Sequence, residues 1–292
     1  MGRRPKVRPK ISLLIPFTTR DAYRKKTFRW LLDYWKAELP DAEIVIGHST
    51  GPVFCKTEAL NRAAHRANGK VLVVLDADAY ISGAILNNVA DIILEELEQG
   101  YQTWYVPYRN LYRLNLDTTL AILESDPENP VRIPDPPPDN YLDNEPNAAK
   151  YGRAFAALAY VIPREALEAI ECFDERFNRG WGGEDVSTLR ALDTLWGKHK
   201  TTPNGIFHLW HPKIGDTFKT RAWQGQNDDE PNRKLAVQYK IASQNPSVMR
   251  ELVREGCDFK KRKEEAGILW DGPDEWMQEI IIETVGRNKK FL

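Results

Sequence analysis

The chain has 292 residues, 42% of them hydrophobic and 28% charged, ordinary globular usage that provides a core and excludes wholesale disorder. The length suggests one large α/β domain or two modest ones. Lys and Arg number 41 against 42 Asp and Glu, a formal net charge of -1, so a generally basic nucleic-acid-binding surface is not expected, although a local patch is allowed. Cys55, Cys172 and Cys257 are isolated, with no Cys-x-x-Cys. Reduced thiols in a cytoplasmic protein are therefore expected rather than a disulfide framework or a structural zinc site. No apolar run approaches the roughly 20 residues needed to cross a bilayer, and the first ten residues, though basic, lack the apolar core of a signal peptide.

Ile11–Phe17 is a short β-rich run stopped by Pro16. Phe28, Leu31, Leu32, Trp35 and Leu39 then recur at helical spacing, with Asp21 near the start and Pro40 at the close. Glu43–Gly47 reads as a second strand, and Thr57–Asn68 as an alanine-rich helix ended by Gly69. Val71–Leu75 is a continuous apolar strand of the kind buried on both faces of a parallel sheet. Ser82 can cap a helix whose inner face runs from Ile85 to Leu97, with Gly100 after it. This alternation predicts an open α/β sheet with ligands bound at the strand C-termini.

The pattern changes after Tyr108. Residues Ser125–Pro146, crowded with Pro, Asp and Asn, read as a loop, either a solvent-exposed insertion or an acceptor-side lid. Ala154–Ile162 resumes as a strand, Pro163 opens a short helix, and Glu184–Trp196 forms another. The tail from Asn232 is helical, broken at Asp271–Pro273 before a last apolar stretch from Trp276 to Val285.

Three segments could do chemistry. Asp76-Ala77-Asp78 directly follows the apolar strand. Two like charges about 4 Å apart repel by roughly 4 kcal/mol at an effective dielectric of 20. A divalent ion removes that repulsion and can also hold a diphosphate; a solvated helix-capping pair is the alternative. Gly180-Trp181-Gly182-Gly183-Glu184-Asp185 opens a helix. Its glycines permit close approach to a ligand, Trp181 offers a face for a sugar ring, and an ionised Asp185 could act as a general base. A structural glycine turn with a core Trp is the alternative. His208-Leu209-Trp210-His211 would bring both rings together on a helix or in a turn at a strand end, but not along a regular strand.

In this order the segments resemble nucleotide-sugar-dependent glycosyltransferases of the GT-A fold, above all the β-1,4-galactosyltransferase family and its relatives among family 2 transferases. The resemblance runs from about Ile11 to about Asn245. Ile15-Pro16-Phe17-Thr18-Thr19-Arg20 is similar to the family's Ile-Pro-Phe-Arg-Asn-Arg, and Phe54–Asn61 to its Phe-Asn-Arg-Ala-Lys-Leu-Leu-Asn, with Lys56 in the arginine's place. Asp76-Ala77-Asp78 matches Asp-x-Asp, Trp181–Asp185 matches Trp-Gly-Gly-Glu-Asp, and His208–His211 falls on Met-x-x-His. Asp229–Arg233 echoes a following Asn-Glu-Pro-Asn stretch.

The likeness implies a GT-A (Rossmann-like) open mixed sheet flanked by helices, with a catalytic domain over 1–215, including the Pro-rich loop 125–146, and a helical C-terminal extension over 216–292. It implies a metal-dependent inverting hexosyltransferase with Asp185 as base and Glu184 orienting hydroxyls. Mn²⁺ or Mg²⁺ would be held by Asp78, His211 and His208. A UDP-linked donor would meet Pro16, Phe17, Thr18, Arg20, Lys56, Asn61, Asp76, Trp181 and Gly183. The acceptor would be a glycan, a protein or a modified nucleic-acid base, with Arg3, Arg4, Lys6, Arg8 and Lys10 or the Lys260–Lys263 cluster touching phosphates in the last case. A nucleotidyltransferase and a catalytically silent sugar-binding module are the remaining alternatives.

The sequence also departs from the family. Gly47-His48-Ser49-Thr50 stands where relatives carry an Asp-Asp-Gly-Ser type segment that contacts the base. His208 replaces a Met, giving a harder ligand and a different or tighter-bound ion. Neither the membrane anchor nor the disulfides of animal members are expected here, and a bacterial or phage cytoplasm is the expected setting.

Overall fold

The computed structural model describes residues 9–50, 54–143, 157–178, 182–212, 231–265 and 275–289. The apolar runs of the first half become strands β1 (Ile11–Pro16), β2 (Glu43–Gly47) and β3 (Val71–Leu75), buried along their whole length, as parallel strands covered on both faces should be. Leu13 of β1 lies opposite Ile44 on one side and Val73 on the other, both pairings parallel. Helices α1 (Ala22–Glu38) and α2 (Lys56–Arg66) make the crossovers. Asp21 caps α1, its carboxylate accepting from the Arg24 N–H at 2.8 Å. α2 lies so close to β2 that any Cβ on Gly47 would collide with the Ala59 carbonyl, so only glycine fits there.

From β3 the chain passes through β4 (Ala79–Tyr80) into α3 (Gly83–Glu98), capped by Ser82 as expected. The sheet then extends through β5 (Trp104–Val106), β7 (Ala159–Pro163) and β8 (His199–Thr201) in the order β2-β1-β3-β7-β5-β8. Only β7 runs against its neighbours. A small second sheet joins β4, β9 (Gly205–His208) and β6 (Asn110–Arg113). With α4 (Leu116–Glu124), α5 (Arg164–Ala169) and α6 (Glu184–Leu195), this is the open mixed α/β sheet flanked by helices that the sequence implies.

Periodicity had no purchase on β4, β5, β6, β8 and β9, which are two to four residues long. The strand expected from Ala154 begins at Ala159, residues 154–156 lying outside the described ones. The Pro-rich stretch is described to residue 143 and lies against the body. The Ser125 carbonyl accepts from Trp30 Nε1 at 2.9 Å, Val131 O from the Tyr80 hydroxyl at 2.9 Å, and Asp135 Oδ2 from the Gly205 N–H at 2.5 Å.

The tail forms α7 (Pro231–Ala242), α8 (Pro246–Glu265) and α9 (Glu275–Asn288). The expected break at Asp271–Pro273 lies outside the described residues. α7 and α8 pack on α6. At the free edge of β2, the Asn288 amide accepts from the Ile44 N–H at 3.1 Å and donates to its carbonyl at 2.6 Å, covering a backbone that would otherwise be open to pairing. One expectation is corrected here. Cys172, after α5, and Cys257, on α8, form a disulfide with Cα atoms 6.2 Å apart, leaving Cys55 as the free, buried thiol. The cysteines are 85 positions apart, and only the packing of α8 reveals that they meet. No described helix is long and apolar enough to cross a membrane.

Candidate active site

β3 ends at Leu75 and delivers Asp76 and Asp78 to the edge of the sheet. The Asp76 N–H bonds the Leu158 carbonyl at 2.8 Å, and Leu158 has φ +66°. A left-handed leucine is costly, and such outliers gather at functional sites.

Pairing of the small sheet brings the histidines to Asp78. Ala79 lies opposite His208, and the Leu209 N–H bonds the Asp78 carbonyl at 2.9 Å. β9 ends at His208, so the chain is free to turn and return His211 to the same side. His208 Nε2 stands 3.9 Å from Asp78 Oδ1, and His211 Nε2 stands 3.5 Å from Asp78 Oδ2. One ligand atom from each of the three residues lies within 4.8 Å of the others. Arg24, in the first turn of α1, reaches Asp78 Oδ2 at 3.2 Å. Burial opposes charge on Asp78, yet His208, Arg24 and His211 hold its carboxyl at about 2. Burial lowers the His208 imidazole to about 4, against the pull of Asp78, so near neutral pH the ring is uncharged with a nitrogen lone pair to give.

Beside this cluster, Lys56 at the start of α2 joins two carboxylates. Its Nζ lies 2.7 Å from Asp76 Oδ1 and 2.8 Å from Asp185 Oδ1. Burial alone would lower the Lys56 ammonium, but Asp185 and Asp76 hold it well above its usual range. Burial pushes the Asp185 carboxyl up to about 7 even though Lys56 pulls it down. Asp185 and the buried Glu184 open α6. Gly183 precedes them as the cap with φ +93°, and a Cβ there would press on Phe177 Cε1 at 3.2 Å.

The structure thus brings Asp76, Asp78, Lys56, Asp185, His208 and His211 into one neighbourhood, with Glu184 and Gly183 adjoining. Trp181, Asp229 and Glu230 lie outside the described residues, as do Arg3, Arg4, Lys6 and Arg8. Pro16 ends β1, with Thr18 and Arg20 just beyond it at the strand C-termini. The Phe17 side chain is core instead, 3% exposed and stacked on Phe28 at 4.1 Å.

Asn61 is corrected. Its amide donates to Phe173 O at 2.8 Å and Glu175 Oε1 at 2.9 Å and accepts from the Phe173 N–H at 2.9 Å. It fastens the 173–175 turn to α2, with no polar hydrogen left for a donor. The three lysines of the Lys260–Lys263 cluster are partnered within the fold. Lys263 bridges Glu58 at 2.7 Å and Glu175 at 3.0 Å, while Lys260 and Lys261 pair with Glu264 and Asp258. Arg24 is the site residue that periodicity missed. Its signal was Arg24-Lys25-Lys26 in the opening turns of a helix, where the macrodipole disfavours cations.

A divalent ion fits the donor set around Asp78. His211 Nδ1 lies 3.0 Å from the Pro212 carbonyl, which can only accept, so the proton sits on Nδ1 and Nε2 faces the carboxylate. Backbone-oriented imidazole of this kind is common among metal-bound histidines. One carboxylate with two imidazoles suits Mn²⁺ better than Mg²⁺, which takes mostly oxygen ligands.

Sequence comparison matches the chain to no protein family and, at significance, to no curated protein. Among solved structures it is similar to the catalytic domain of Drosophila β1,4-galactosyltransferase 7 in complex with xylobiose (16% identity, 75% of this chain and 81% of that one, TM-score 0.38). It is also similar to glucosyl-3-phosphoglycerate synthase of Mycobacterium tuberculosis, in complex with Mn²⁺, UDP-glucose and phosphoglyceric acid (13%, 80% and 79%, 0.44). A third is the mannosyltransferase PcManGT of Pyrobaculum calidifontis, in complex with GDP-mannose and Mn²⁺ (14%, 99% and 89%, 0.42).

Proposed function

We propose that this chain is a metal-dependent, inverting GT-A glycosyltransferase that moves a sugar from a nucleotide-sugar, UDP-linked by family resemblance, to an acceptor hydroxyl. The observation that supports this reading is the convergence of Asp78, His208 and His211 on one point at the end of β3, beside an Asp185 carboxyl raised by burial to about 7. When bound, a divalent ion would supply Lewis-acid neutralisation of the charge that develops on the departing nucleoside diphosphate.

The protein's own groups do the rest. Asp78, His208 and His211 would hold the ion, and Asp76 and Lys56 would meet the donor. Lys56 occupies Asp185 Oδ1 and leaves Oδ2 for the acceptor. As the acceptor oxygen bonds to the sugar's anomeric carbon, the bond from that carbon to the diphosphate oxygen breaks and the hydroxyl proton passes to Asp185. A raised carboxyl is the better base for this transfer, since efficiency peaks when the base's pKa lies near the working pH. Inversion follows from a single displacement, a reading taken from the Gly-Gly-Glu-Asp likeness.

The test is a panel of nucleotide-sugars with and without Mn²⁺, read by thermal shift and by donor hydrolysis. A stabilising donor that is hydrolysed only with metal is expected, and both signals should vanish in Asp78→Ala. Metal-independent hydrolysis, or pyrophosphate release from a nucleoside triphosphate in place of sugar transfer, would contradict the proposal.

A further inference from the structure

An open cleft of about 430 Å³ lies along the outer face of α1, lined by Lys25, Lys26, Arg29, Trp30, Pro127 and Trp276 among others. None of Asp76, Asp78, Lys56, Asp185, His208 or His211 lines it, so it is separate from the donor-side cluster. It is nonetheless a neighbour. Arg24 touches Asp78, and with about 1.5 Å of rise per helical residue, Lys25 to Trp30 follow within roughly 9 Å along the same axis. The volume falls within the roughly 300–1,000 Å³ usual for small-ligand sites.

The charges are placed against local preference. α1 has no acidic residue in its first turn, while Arg24, Lys25 and Lys26 stand at the end where the macrodipole is already positive. Helix stability does not favour such an arrangement, and an arriving anion does. Deeper in the helix the cations are neutralised: Arg29 pairs with Glu283 at 2.6 Å, and Asp33, the carboxylate of the lining, is taken by Lys36 at 2.9 Å. Lys26 is exposed, and its side chain makes no ion pair or hydrogen bond with any described residue. One wall is aromatic. Lys25 Nζ sits 5.1 Å from the centroid of the partly buried Trp276 ring, while Trp30, 7% exposed, forms the floor, fixed by its 2.9 Å bond to Ser125 O and by stacking on Tyr34 at 5.5 Å. Indole flanked by cations in a concave site matches a ligand with flat C–H faces and pendant anions. A bare inorganic anion would not use the indoles, and a bilayer presents a flat surface.

We propose that this cleft is an acceptor-side subsite for an acidic saccharide, whose carboxylate, sulfate or phosphate groups meet Lys25 and Lys26 while a ring lies on Trp276. The inference rests on the transferase reading for its acceptor role. Pro127 comes from the Pro-rich stretch and Trp276 from α9, so the two segments without an assigned part in the chemistry would select the acceptor.

Calorimetry on the full chain tests it, using a hexuronate tetrasaccharide, a sulfated tetrasaccharide, a phosphorylated one and neutral maltotetraose, with polyglutamate and phosphatidylglycerol vesicles as further probes. At least one acidic tetrasaccharide should bind, with maltotetraose at least tenfold weaker; which arm binds names the anion. Lys26→Glu, an exposed change that leaves the fold intact, should weaken binding at least tenfold, and Trp276→Leu should weaken it independently of salt. Donor hydrolysis should be unchanged in both. Equal affinity for acidic and neutral sugars, equal affinity for polyglutamate, binding only to vesicles, or indifference to Lys26→Glu would each overturn the inference. Hydrolysis without saccharide binding defeats the cleft alone; saccharide binding without hydrolysis of any nucleotide-sugar defeats the transferase reading and the acceptor role with it.

Discussion

The two sides of the fold hold their candidate functional residues in different ways. β2, β1 and β3 are five or six residues long and buried throughout, and Asp76 and Asp78 follow directly from where β3 stops. On the other side, beyond the five-residue buried β7, β5 and β8 have three residues each, and a small second sheet carries the histidines. His208 and His211 reach the site only because four-residue β9 pairs with two-residue β4, and Asp185 because a left-handed glycine starts α6. One half places its chemistry by its own strand. The other places it by contacts with distant segments, and is therefore the half that mutation should disturb first.

The largest expected effect removes the proposed base while leaving both flanks intact. Asp185→Asn should lower the rate of transfer by about 10²–10⁴-fold with donor affinity by calorimetry nearly unchanged. Transfer at close to the wild-type rate would remove Asp185 from the mechanism.

A smaller effect probes the dependence of the second flank on the tail. The Cys172–Cys257 disulfide ties α8 to the segment that leads into Gly183 and Asp185. Cys257→Ser should cost about 2–4 kcal/mol in urea unfolding, and reducing agent should destabilise the wild type by a similar amount. Insensitivity of the wild type to reductant would mean the pair is not bonded in solution.

The smallest effect sharpens the link between flanks that Lys56 makes. An ionised base is needed, so kcat/KM should rise with pH through the raised value of Asp185, about 7, rather than through the ordinary carboxylate range near 4. Lys56 favours the charged form of Asp185. In Lys56→Met the rise should accordingly shift to higher pH, and a profile that stays in place would show that the two groups are not coupled.

This contrast also explains what could be read from the sequence. Ile11–Pro16, Glu43–Gly47 and Val71–Leu75 were visible as strands because continuous apolar runs survive any tertiary context, and Asp21 and Ser82 were visible as caps because capping is local. The Asp-x-Asp, Gly-Gly-Glu-Asp and His-x-x-His segments were visible by residue type. Their mutual distances were not, since those depend on β4–β9 pairing and on Lys56 spanning 2.7 Å and 2.8 Å contacts to Asp76 and Asp185. The partners of Asn61 were hidden for a related reason: an amide that fits a donor motif serves equally well to bind a turn, and residue type does not show the three bonds it makes to Phe173 and Glu175. The disulfide was hidden by a separation of 85 positions.

Pulsed electron paramagnetic resonance of the Mn²⁺-loaded protein tests the central claim most directly. Nitrogen couplings from two imidazoles should be seen, one lost in His208→Ala and the other in His211→Ala, with metal binding itself abolished in Asp78→Ala. Bound Mn²⁺ without nitrogen coupling, or couplings unchanged in both histidine variants, would contradict the account.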